Sequence, residues 1–142
     1  MKYMNVEMRE HKYRVWDKKE KKWALSHYTD EMYLNPKGVL VEPNYGGDGI
    51  ETIEEVEKDR YIVVFYTGLK DKNDKESYHN DIGKDVNGVF RIEWAKTGWA
   101  RFYDMDAPEE EYKWISLGTG LAFEIIGNRF ENPELLKENK QR

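Results

Sequence analysis

The chain has 142 residues, 39% of them hydrophobic and 14% aromatic, and its 28 acidic and 23 basic residues give a formal net charge of -5. That length fits one domain over 1–142 with frayed ends at 1–8 and 137–142; the aromatic content excludes a disordered chain, and the interspersed charges exclude a global attraction for nucleic acid. With no cysteine there are no disulfides or thiolate metal sites, and with no apolar run near the roughly 18 residues of a membrane span and no signal-peptide core, a cytoplasmic protein without a membrane partner is expected.

Residues 11–16 alternate polar and apolar, with Tyr13 and Val15 on one face, which predicts a strand. Residues 17–22 form a charged turn, and residues 23–28 return as the partner strand. The Asn35-Pro36-Lys37-Gly38 segment signals a turn before the short apolar run 39–41. Residues 44–49 contain three glycines, carry few packing side chains and read as a mobile loop. Ile50, Ile53 and Val56 are spaced by three with glutamates between them, which predicts one or two helical turns over a sheet edge. Residues 61–66 are continuously apolar and predict a strand that is central or buried on both faces.

Downstream, residues 89–94 and 99–103 alternate as the two arms of a hairpin, and Asn87-Gly88 marks a separate tight turn. A three-residue loop of Lys96, Thr97 and Gly98 pairs Ala95 with Trp99. Trp94 then faces Ala100 and Ile92 faces Phe102, so apolar side chains meet across the ladder. A four-residue loop would set Ile92 against Arg101, and the first register is preferred. Residues 104–111 are acidic and read as a solvated loop. Residues 114–117 and 122–126 predict short strands on either side of Gly118-Thr119-Gly120. Asn132, Pro133 and Glu134 suit a helix cap, first turn and dipole partner. Seven or so strands with one or two peripheral helical turns describe a small β-barrel or roll.

The sequence contains few candidate sites. Asp71, Asn73, Asp74 and Glu76 suggest a calcium loop, but Lys75 occupies a ligand position and no glycine follows it, so a solvated turn is expected. His79 and Asp81 lack supporting ligands, because His11 and His27 lie in other segments; no metal site and no cofactor are expected. Asp81 reads as a turn-fixing acceptor of backbone hydrogen bonds. Lys12, Arg14, Lys18, Lys19, Lys21 and Lys22 surround Trp16 and Trp23, and basic residues among aromatics are a nucleic-acid pattern. Asp17 and Glu20 interrupt the run, and charged hairpin tips are ordinary, so this reading is disfavoured. The two glycine-rich turns lack the strand, helix and lysine of a phosphate loop.

Three segments together resemble the YopX family of phage and prophage proteins. The first is Tyr13-Arg14-Val15-Trp16-Asp17. The second contains Tyr66, Thr67, Gly68, Leu69, Lys70, Asp71, Lys72 and Asn73, followed by Tyr78, Asp81 and Ile82. The third runs from Glu124 through Gly127 to Asn128, then from Glu131 through Asn132 and Pro133 to Leu136. The resemblance implies an SH3-like β-barrel or roll, a phage setting inside a host bacterial cell, and homo-oligomers, and it brings no catalytic residues. The family's glycines are replaced by Asp74 and Asn80 in two turns, and both residue types tolerate positive φ. The expected function is that of a non-enzymatic accessory protein whose partner is itself or a phage or host protein, with nucleic-acid binding through the Lys-rich hairpin as the alternative.

Overall fold

The computed structural model describes residues 12–24, 32–57, 59–103 and 114–138. Expectations for residues 1–8 and 139–142, for the partner strand past Ala24, for the acidic loop 104–111 and for His11 and His27 lie outside them. The protein is mainly β: twelve strands and one short helix occur among the described residues, against the seven or so strands expected. Among the described residues, no helix is long and apolar enough to cross a membrane. The chain divides into two compact units, Tyr13–Val64 and a larger one of Met1–Lys12 with Phe65–Arg142.

In the Tyr13–Val64 unit, β1 (Tyr13–Asp17) pairs with β2 (Lys22–Trp23), placing Trp16 opposite Trp23. Their rings meet edge to face at 5.0 Å. Then β3 (Tyr33–Leu34), β4 (Leu40–Gly46) and β5 (Gly49–Glu55) make an antiparallel sheet in that order, with β5 at its edge. The turn before β4 is built as its residues require. Asn35 Oδ1 accepts the N–H groups of Lys37 and Val39, and Gly38 takes a φ of 79°. Val15, Leu40 and Val56 form the core here, with Tyr13, Leu34, Tyr61 and Val63 packed against them.

Two expectations fail in this unit for one reason. Residues 44–49 are not a mobile loop and residues 50–56 are not helical; they form the β4–β5 hairpin, closed where Gly46 pairs with Gly49. Two glycines flanking a two-residue turn close a hairpin rather than loosen it. The register shifts between Asn44 opposite Thr52 and Tyr45 opposite Ile50, leaving Glu51 as an extra residue. That β-bulge adds one residue to a period of two, so Ile50 and Ile53 share a face at a spacing of three and imitate a helix.

β6 (Tyr61–Lys70) starts in this unit and finishes in the larger one. It has a strand on each side, the central position expected, but it is not buried on both faces, because Val64 is fully buried while Phe65 is exposed. Its later half pairs with β7 (Glu76–Tyr78). In the larger unit β8 (Asp81–Asp85), β9 (Gly88–Ala95), β10 (Gly98–Phe102) and β11 (Trp114–Ser116) form a meander. β12 (Glu124–Asn128) returns to the free side of β8, giving the order β11-β10-β9-β8-β12. Phe90, Ile92, Leu117, Phe123 and Ile125 make the core, with Trp99 and Tyr103 against it. The chain then enters α1 (Glu134–Glu138).

The β9–β10 register differs from the expected one. Ala95 pairs with Gly98, Trp94 with Trp99, Glu93 with Ala100 and Ile92 with Arg101. The register that hydrophobic pairing rejects is the one adopted, because Arg101 is a fully buried member of the core face. Its Nη1 and Nη2 find a carboxylate and two carbonyls there, while its Nε is buried without a partner. Asn132 also departs from the expected helix cap: its side-chain oxygen turns back to accept the Asn128 N–H at 3.2 Å.

Candidate functional site

The motif residues of β6 and β7 surround a place where the ladder breaks. Tyr66 pairs with Tyr78 and Lys70 with Glu76, with an irregularity between them where Gly68 has a φ of 90°. Hydroxyls replace the interrupted backbone bonds. The Leu69 N–H donates to Thr67 Oγ1 at 3.2 Å, Ser77 donates to the Leu69 carbonyl at 2.7 Å, and the Thr67 and Ser77 hydroxyls share a hydrogen bond. The Thr67-Gly68-Leu69 run is therefore a bulge with its own side-chain repair. The rings of Tyr66 and Tyr78 lie 5.6 Å apart beside it.

Asp71 then ties three segments together. Its Oδ1 accepts the N–H groups of Asn73 and Lys75, each at 2.9 Å, while Oδ2 accepts the Ile125 N–H of β12 at 2.8 Å. Burial opposes ionisation of Asp71, but the donors Ile125, Lys75 and Asn73 outweigh it and hold the carboxyl below its usual range. With both oxygens committed to the backbone, this loop has the geometry of a turn rather than a cation site. Asp74 and Asn80 have φ of 65° and 72°, the positive region that both residue types tolerate. Asp81 Oδ2 accepts the Tyr78 N–H at 2.8 Å, the turn-fixing role its residue type predicts.

At the end of β12 the third motif closes on itself. Asn128 Oδ1 accepts the N–H groups of Phe130 and Glu131, and its Nδ2 donates to Glu131 Oε1. A Cβ on Gly127 would come within 2.5 Å of Asn132 Oδ1, so glycine is required where Asn132 packs. Pro133 lies one residue before α1. The Arg129 N–H donates to the Asn80 carbonyl at 2.9 Å, which joins the second and third motifs.

In the other unit, Asp17 and Trp16 are buried. Asp17 accepts the Lys19 and Glu20 N–H groups and receives a two-pronged contact from Arg60, at 3.1 Å from Nε and 2.9 Å from Nη2. That hydrogen-bonded guanidinium, resisted by burial and aided by the two N–H donors, lowers the Asp17 pKa to about 2.

The six candidate nucleic-acid residues have different surroundings. Lys12 donates to Glu76 at 2.7 Å, and Arg14 lies 4.3 Å from the centre of the Trp23 ring. Lys18, Lys19, Lys21 and Lys22 are exposed around the β1–β2 turn. Lys18, Lys19 and Arg60 share a cleft of about 560 Å³ with Glu57 and Asp59, so its charge is mixed. Trp16 is buried, and the Arg14 guanidinium lies over the ring of the half-buried Trp23, so neither ring of this hairpin is freely open for base stacking. Among the described residues, no group of three or more His, Asp or Glu side chains is placed to hold a metal ion.

Two features escape sequence reasoning. One is the buried network in which Arg101 donates to Asp85 at 2.7 Å and to the carbonyls of Leu117 and Leu121, while the Tyr103 hydroxyl donates to Asp85. An arginine inside an alternating apolar strand is its one sequence signal. The other is the β4–β5 arm, whose Tyr45, Ile50 and Ile53 are 63%, 60% and 54% exposed. Paired residues share a face, so Pro43, Tyr45, Ile50 and Ile53 lie on one side. On the opposite side Asn44 donates to Thr52, and Glu42 faces Glu54.

These arrangements define a mainly β protein whose signature side chains hold turns and bulges. The chain belongs to the YopX protein family, whose family model matches residues 12–137. Its fold is similar to that of protein yopX from Bacillus subtilis, with a TM-score of 0.53 and 18% identity over 91% of this chain and 99% of that one. It is also similar to protein EF1440 from Enterococcus faecalis, with a TM-score of 0.50 and 20% identity over 89% and 97% of the two chains. Comparison with curated proteins gives no match.

Proposed function

We propose that this chain is a non-enzymatic accessory protein of a phage or prophage, acting in the cytoplasm of its bacterial host, and that it self-associates through the β4–β5 arm. The observation that carries this reading is the apolar face on which Tyr45, Ile50 and Ile53 are exposed beside the half-buried Pro43. Among the described residues β3 reaches only Leu40 and Val41, and beyond them the arm is two-stranded. A two-stranded hairpin is marginal in water until one face is covered.

A second copy suits that face. Two chains of net charge -5 repel unless the meeting surfaces are weakly charged, and the paired residues Pro43, Tyr45, Ile50 and Ile53 carry no charge, with Glu55 following on the same side farther from the turn. Open-ended strand addition is opposed by the Glu51 bulge and by the edge glutamates Glu54 and Glu55, which favours a closed face-to-face pair. One arm offers less than the roughly 800 Å² per partner of a standard interface, so the association is weak and concentration-dependent. The ordering of the larger unit, a four-strand meander whose fifth strand returns to the first, supports the SH3-like description. The non-catalytic reading is supported by the carboxylates Asp17, Asp71 and Glu76, whose lowered pKa values come with structural partners.

Sedimentation velocity over a wide concentration range tests this. The native chain should gain mass as concentration rises, and an Ile50→Lys/Ile53→Lys variant with unchanged circular dichroism should not. A strict monomer at the highest concentration, or equal association by the variant, refutes the proposal. Capture of a host protein by a monomeric chain would put a different occupant on the arm.

A further inference from the structure

β10 is a strand whose two faces are nearly equivalent in apolar content. Trp99, Arg101 and Tyr103 follow one side and Ala100 and Phe102 the other. A displacement of one residue exchanges the two sets, because side chains alternate along a strand. At the Ile92 pair the displaced arrangement is the more apolar, since it sets Ile92 against Phe102 in place of Arg101 and Trp94 against Ala100. The turn permits both. Gly98 has a φ of 152°, so the Lys96-Thr97 loop closes on it in the observed pairing, and the same glycine suits the left-handed position of a longer loop.

What separates the registers is the pair of ring contacts Trp94–Trp99 and Phe90–Tyr103, at 5.1 and 5.6 Å, together with a buried polar network. In the observed register Arg101 reaches Asp85 at 2.7 Å, the Leu117 carbonyl at 2.9 Å and the Leu121 carbonyl at 2.6 Å. Its guanidinium lies 4.7 Å from the Phe123 ring centre and 5.4 Å from that of Phe90. The Tyr103 hydroxyl donates to the same Asp85 oxygen. The Arg101 and Asp85 side chains are both nearly sealed from solvent, 1% and 0% exposed. Every one of these contacts is lost when β10 turns over, leaving Asp85 in the interior without its cation.

We infer that the buried Arg101–Asp85 pair is a register lock, and that the β9–β10 hairpin without it populates a second pairing displaced by one residue. In that state Trp99 and Tyr103 leave the core face and Ala100 and Phe102 replace them. The lock therefore sets which aromatic surface the hairpin presents. In the locked state Trp99 touches both His79 at 5.4 Å and the exposed Trp94 at 5.1 Å. A single buried polar contact fixing register is the best-attested use of such groups.

The chain has no cysteine, so engineered pairs report on register alone. Glu93→Cys/Ala100→Cys are opposite in the observed register, and Trp94→Cys/Ala100→Cys are opposite in the displaced one. In the native background, mild oxidation should close the first pair and leave the second open. With Asp85→Leu/Arg101→Met added, the fraction closing at 94–100 should rise at least tenfold, and the indole resonances of Trp99 should double. A folded double variant with no 94–100 bond overturns the inference. Should the double variant unfold, Arg101→Lys decides. It keeps a cation near Asp85 but loses the forked contacts to both carbonyls, and failure of the 94–100 pair to close there overturns the inference equally.

Discussion

Replacing Asp17 by asparagine isolates one ion pair and makes a pH-dependent prediction. Asp17 is buried and held by Arg60 through two nitrogens. Its folded-state pKa is about 2 against a reference of 3.8. Because the folded value is depressed, the stabilisation is present above pH 3.8 and is lost as pH falls towards 2. At about 1.4 kcal/mol per unit the shift corresponds to a little over 2 kcal/mol. Arg60 is partly open to solvent, which discounts the figure to about 1–2 kcal/mol. The substituted amide would keep one acceptor for the Lys19 and Glu20 N–H groups, so the loss comes mainly from the charge. Urea denaturation of both proteins at intervals from pH 7 to 2 should show the native chain more stable by about 1–2 kcal/mol at neutrality. The gap should close between pH 4 and 2. A gap below about 0.5 kcal/mol at pH 7, or one that does not change with pH, refutes the argument.

Gly127→Ala should destabilise by about 1–3 kcal/mol, because its Cβ would meet Asn132 Oδ1 and Cγ at 2.5 and 2.8 Å. Thermal unfolding reads this, and adding Asn132→Ala should recover the part that is steric. Immobilised single-stranded DNA should retain the protein weakly at low salt and release it by about 0.2 M if the exposed Lys18, Lys19, Lys21 and Lys22 act as a phosphate-binding tip. No retention at low salt ends the nucleic-acid alternative, and retention unaffected by Lys18→Glu/Lys19→Glu removes it from this hairpin.

The parts of the fold legible in the sequence are those where one period governs. The β1–β2 hairpin, the Asn35 turn, the tight turn at Asn87-Gly88 and the positions of β9 and β10 follow from alternation and turn chemistry. Two readings fail where a local insertion or a buried charge competes with that period. The extra residue at Glu51 converts a spacing of two into three, and an i, i+3 pattern has no way of declaring a bulge. Arg101 reads as a surface residue because its cost is visible in the sequence while its partners are not. Asp85 and the Leu117 and Leu121 carbonyls lie 16 to 20 residues away. The exposed face of the arm is hidden for the same reason as the bulge, since a spacing of three assigns Ile50 and Ile53 to the buried side of a helix.

Among the described residues, those polar residues buried as a whole are Asp17, Thr67, Asp71, Ser77, Asp81, Arg101 and Asn128, and the Asp85 side chain is sealed as well. Five of these belong to the family motifs, and Ser77 is bonded to a sixth motif participant, Leu69, through its carbonyl. Asp17, Thr67, Asp71, Asp81 and Asn128 each accept a backbone N–H where a strand ends, bulges or turns. A buried acceptor of this kind is costly to lose, because the N–H it satisfies has no water to turn to. The motifs that place this chain in its family are therefore the side chains that complete its backbone hydrogen bonding. The proposed self-association draws on different residues: Tyr45, Ile50 and Ile53 lie outside every motif, hold no turn, and expose more than half of their surface. Under that proposal, substitutions there should change association while leaving intact the backbone hydrogen bonds that the motif side chains complete.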